Sequence, residues 1–138
     1  MKRVISASVV AALGVMLAAS PVPAQRTAPP AAAFKKVSAI TTLPDFIPGL
    51  GTLYVDPATL PAGPFLAYDR QGKLVSSIYM IPLKDMNAQK AFESLGTARG
   101  EQVDHVDVMY NPGHAGVAEP HYHVILWYVP KAEAAKLQ

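Results

Sequence analysis

All four histidines of this 138-residue chain, His105, His114, His121 and His123, fall within nineteen residues, in a stretch that also carries Asp104, Asp107 and Glu119. Imidazole and carboxylate groups gathered on neighbouring strands are the donors a divalent transition-metal ion takes. The candidate metal ligands are therefore His105, Asp107, His114, His121 and His123. Such imidazole-rich donors suit Zn(II), Cu(II) or Ni(II), and a chain without cysteine has no thiolate to offer. Met80, Met86 and Met109 read as core, although Met109 shares the face of His105 and Asp107, where a thioether would suit Cu(I).

Two strands must position these groups. Residues 102–110 and 121–129 read as strands joined by about ten residues rich in Gly and Pro, hence as antiparallel neighbours. Alternate side chains share a face, so His105 goes with Asp107 and His121 with His123. Where odd positions pair with odd positions, for example His105 opposite His123, these groups meet on one face, with paired Cβ atoms about 4.5–5.5 Å apart. A slip by one residue would put Asp104 and Val106 opposite the histidines instead. His114 follows Pro112-Gly113 in the loop and Glu119 precedes the second strand, so either is placed to fold over the mouth. Tyr122, Trp127 and Tyr128 read as sheet and core packing.

The remaining punctuation is mostly of the β type. Residues 50–55 form a short strand candidate, closed by Asp56-Pro57. Residues 65–68 and 73–81 flank Asp69-Arg70-Gln71-Gly72, a hairpin turn. A helix is expected over 87–95, capped by Asp85 or Asn87 and stopped by Gly96, and a short C-terminal helix after Pro130. The expected fold is α+β, a mainly antiparallel sheet of four to five strands with one central helix and a short C-terminal helix.

The N-terminus reads as an address. Lys2-Arg3 precedes an apolar run over 4–19, and Val22-Pro23-Ala24 closes it on a small residue, as in a secretory signal peptide cleaved after Ala24. The run is too short to span a bilayer comfortably and Pro21-Val22-Pro23 follows it, so no stable membrane anchor is expected after cleavage. Export to the periplasm or the exterior follows. Losing Lys2 and Arg3 leaves ten Lys+Arg against ten Asp+Glu, a neutral chain with no implied nucleic-acid partner. Residues 25–36 are Ala/Pro-rich and read as a flexible tether, and 37–138 as a single α+β domain. A domain of this size without disulfides has a modest core, and a homo-oligomer is one way to bury more surface.

A resemblance runs through the same stretch. The Asn111-Pro112-Gly113-His114 turn and the Pro120-His121 strand opening resemble an uncharacterised family of secreted bacterial proteins, which pairs an Asn-Pro-x-Gly-His turn with a Pro-His strand. Tyr79-Met80-Ile81-Pro82-Leu83 and Phe92-Glu93-Ser94-Leu95 are similar to it as well, extending the likeness over about 50–129. His114 and His121 match the family's turn and strand histidines. His123 stands where the family has Asp, and Ile125 where it has a last His. The resemblance implies the fold and secretion; the family has no established activity to carry over.

Three functions stay open. One is a secreted or periplasmic protein binding a divalent metal through the histidines of a C-terminal β-hairpin. Another is a small metal-dependent enzyme with Glu119 or Asp104 as general base. The third is a metal-free binding or assembly domain.

Overall fold

A computed structural model describes residues 26–138. The expected leader over 1–24 lies outside the described residues.

Six strands form one antiparallel sheet: β1 (Lys35–Lys36), β2 (Thr52–Val55), β3 (Phe65–Tyr68), β4 (Leu74–Pro82), β5 (His105–Asn111) and β6 (His121–Trp127), in the spatial order β1-β2-β3-β4-β6-β5. Two short helices join them, α1 (Leu83–Asn87) and α2 (Lys131–Ala134). The architecture is mainly β, which corrects the α+β expectation of four to five strands around a central helix.

The helix expected over 87–95 ends where it was to begin. Met86, Asn87, Ala88, Gln89, Lys90 and Ala91 are all exposed, so no apolar stripe holds a helix against the sheet. Gln89 and Ser94 take positive φ values of 57° and 54°, which break the helical path. Pro82, not Asp85 or Asn87, stands at the N-cap of α1.

The sixth strand comes from residues expected to be a tether. Lys35 and Lys36 pair with Val55 and Tyr54 of β2. Upstream, Ala28 N–H donates to Gly72 O at 2.9 Å, and Leu74 N–H to Arg26 O at 3.0 Å. Ala28 and Phe34 then cover Leu66, Tyr68, Leu74 and Ala98 on one face of the sheet. The described part of the tether is thus a cover for that face.

The opposite face carries the larger core. Val55, Phe65, Ile78, Met80, Ile125 and Trp127 point into it from the strands. Leu43, Phe46, Ile47 and Leu50 from the proline-rich lead-in, and Ala134 and Leu137 from the C-terminus, close over them. Strand β4, buried at every position, runs between the two covers. That is why residues 74–82 are nearly continuously apolar, with no alternation. His121 and His123 lie at the end of the larger core's face, continuing the row of Trp127 and Ile125.

Candidate metal centre

Register decides which groups meet. Strands β5 and β6 pair odd with odd: His105 opposite Trp127, Asp107 opposite Ile125, Met109 opposite His123 and Asn111 opposite His121. Of the two parities left open by the sequence, this is the one that puts these groups on one face, but the strands are offset by four residues from the His105–His123 pairing. Four residues of strand amount to about 13 Å. His105 and Asp107 share the face of the histidines and lie at its far end.

Both are engaged there with Trp127. The His105 ring stacks on the indole with centroids 5.9 Å apart, and its Nδ1 lies 2.8 Å from Asp104 Oδ1. Trp127 Nε1 donates to Asp107 Oδ2 at 2.8 Å, satisfying an indole N–H buried with its ring. His105 and Asp107 are therefore removed from the ligand set and assigned to packing around Trp127.

The other three histidines converge. One nitrogen each of His114, His121 and His123 lies within 4.8 Å of the other two. Strand alternation places His121 and His123 on one face, and a tight turn delivers His114. In that turn His114 N–H donates to Val117 O at 2.8 Å and Val117 N–H returns to His114 O at 2.9 Å. Val117 packs on the larger core, so the turn is pinned by an apolar anchor. Gly113 makes the entry possible. Its φ is +126°, and a Cβ there would stand 2.6 Å from Ala118 O. Asn111 Oδ1 accepts from Gly113 N–H at 2.9 Å and braces the same bend.

Backbone carbonyls orient two of the rings. His121 Nδ1 lies 2.7 Å from Glu119 O, and His114 Nδ1 lies 2.9 Å from Ala115 O. A carbonyl only accepts, so each Nδ1 carries the proton and each Nε2 keeps its lone pair. Metal-ligating histidines are commonly held by such an N–H to carbonyl bond. His121 Nε2 faces His123 Nε2 at 3.0 Å, so in the metal-free protein His123 Nε2–H donates to His121. Burial and the neighbouring His121 and His114 rings push the His123 pKa down to about 4. His123 is thus neutral at physiological pH, the form a metal requires.

Around this group, Glu119 does not reach inward as a ligand: its carboxylate is paired with Lys84 at 2.7 Å. Asp104 sits with His105 at the far end of the face. Neither stands as the general base expected of it. Met80 and Met109 stand opposite His123 on the two neighbouring strands. The role of Asn111 and Gly113 in setting the His114 turn was missed at the sequence level, although Asn-Pro-Gly was legible there as a bend.

Among known proteins, a hypothetical protein of Thermus thermophilus, TTHB210, has a crystal structure that is similar with a TM-score of 0.62 and 51% sequence identity, covering 69% of this chain and 86% of that one. The chain belongs to this protein's family. No protein-family model matches the chain, and no curated protein does. The Thermus relative is known as hypothetical, so kinship with it brings a fold and no activity.

The site itself defines what is chemically feasible. Tetrahedral Zn(II) with N donors at about 2.0–2.1 Å requires neighbouring nitrogens about 3.3 Å apart. The His121–His123 pair already stands at 3.0 Å, and the widest separation in the group is 4.8 Å. To hold such an ion the group would contract by about 1.5 Å at its widest.

Proposed function

We propose that this family member is an exported protein, periplasmic or extracellular, that binds a divalent metal ion through His114, His121 and His123. The observation that carries this reading is the convergence of three imidazoles, two of them with Nδ1 held by backbone carbonyls, and His121 Nε2 turned to His123. A core face could bury apolar side chains here at no polar cost. Instead, His121 is 1% exposed within it. Zn(II), Cu(II) and Ni(II) match the donor type, and Met109, opposite His123 across the sheet, would extend it to Cu(I).

Three protein ligands leave a coordination position for water or substrate, so a small metal-dependent enzyme is the second reading. It is favoured by an apolar cavity that reaches His114 and His123.

Elemental analysis of the purified protein, with melting in the presence of each ion, tests the first reading. A ligand at a hundred times its Kd stabilises by about 2.7 kcal/mol, a clear rise in Tm. Loss of that rise in His121→Ala/His123→Ala is the expected result. Unchanged melting with every divalent ion, and no co-purified metal, would leave a metal-free binding domain.

A further inference from the structure

One cavity on the larger core's face is open to a ligand. It holds about 390 Å³, within the range of small-molecule sites. Leu43, Leu53, Phe65 and Ile78 form its walls, and the half-exposed Ile40 and Leu60 belong to its lining. Of its polar side chains, Thr41 is spent on the backbone, donating to Val37 O and accepting from Leu43 N–H. The others are Asn111, His114 and His123, gathered at the metal centre. The cavity is therefore apolar along its length and polar at one end.

We infer that it binds a small amphiphilic carboxylate, its apolar tail along the walls and its carboxylate at the metal; this rests on the metal-binding reading above. Charge complementarity selects the head group. Three neutral imidazoles leave a bound dication with its full charge, and an anionic oxygen is the natural occupant of the remaining position. Asn111 supports the same choice. Its Oδ1 already accepts from Gly113 N–H, and its amide N–H donors suit an anionic oxygen. A cationic head group finds no carboxylate here, since Glu119 is paired with Lys84. The tail is selected by area, because each methylene removed from water strengthens binding about fourfold before ordering costs.

The experiment titrates hexanoate and acetate into the purified protein, with and without zinc, after zinc binding itself has been measured by calorimetry. Hexanoate is expected to bind zinc-loaded protein at least tenfold tighter than acetate does, and at least tenfold tighter than it binds metal-free protein. Leu43→Trp fills the cavity from the lead-in, and Leu60→Glu places a charge among its lining residues. Both are expected to abolish the chain-length preference while zinc affinity stays within twofold. Leu60 is 44% exposed, so its substitution leaves the fold intact if the bulkier change at Leu43 does not. Zinc binding with equal affinity for hexanoate and acetate overturns the carboxylate site alone. Absence of zinc binding overturns the metal reading and this inference with it.

Discussion

His121 Nε2 lies 3.0 Å from His123 Nε2, with His121 Nδ1 bonded to Glu119 O. One proton on His123 occupies the line along which two lone pairs would otherwise repel. A metal ion bound here would take the place of that proton between the same two nitrogens. Substituting His121 should lower metal affinity by more than the 10–100-fold typical of losing an outer-shell partner. His105→Ala should leave affinity unchanged, because His105 lies at the other end of the face. Calorimetric titration of the two variants side by side checks this. Equal losses would return His105 to the ligand set.

Asp107 and Trp127 form the second relationship along this face. Asp107→Ala strands an indole N–H on a residue only 4% exposed, and should destabilise by about 1–3 kcal/mol. Metal uptake should not change. Urea unfolding with and without the ion separates the two effects.

Gly113 carries the turn that delivers His114. Its φ of +126° and the 2.6 Å approach to Ala118 O exclude a side chain unless the loop moves. Gly113→Ala should destabilise by about 1–3 kcal/mol. It should also weaken metal binding, since Asn111, Gly113 and His114 shift together. A variant with normal affinity would show that the turn is not the positioning device.

The pH response follows from His123, whose pKa drops from the usual 6.5 to about 4 through burial and the adjacent rings. Between these values the unfolded chain binds more protons than the folded one, so stability rises with pH across that window. The contribution is fully present above about pH 6.5 and is lost as pH falls through about 4. In metal-free protein, His123→Gln should flatten the slope of stability against pH by up to about one proton between pH 4 and 6.5. Denaturant midpoints at pH 4.5, 5.5 and 7 measure it. A slope unaffected by the substitution would assign the acid sensitivity to other groups.

The strands and the histidine concentration were legible because their signals are local. Alternation marked β5 and β6, Asp69-Arg70-Gln71-Gly72 marked the turn between β3 and β4, and the apolar run marked β4. The expected helix over 87–95 failed because capping residues and a glycine stop describe helix ends. Its middle had no buried face to hold it. β1 was invisible because two lysines in an Ala/Pro-rich stretch have no strand pattern of their own. They are ordered by pairing with Tyr54 and Val55.

By itself the sequence determined which residues could bind a metal and that strand alternation would put His121 and His123 on one face. The tertiary structure alone decided the offset between β5 and β6. The two-residue repeat of a strand fixes only which of its own side chains share a face, whereas parity and offset between strands are set by loop length and by what each side chain meets across the sheet. Trp127 meets His105 and Asp107, Val117 anchors the loop in the core, and the three remaining imidazoles are left facing one another.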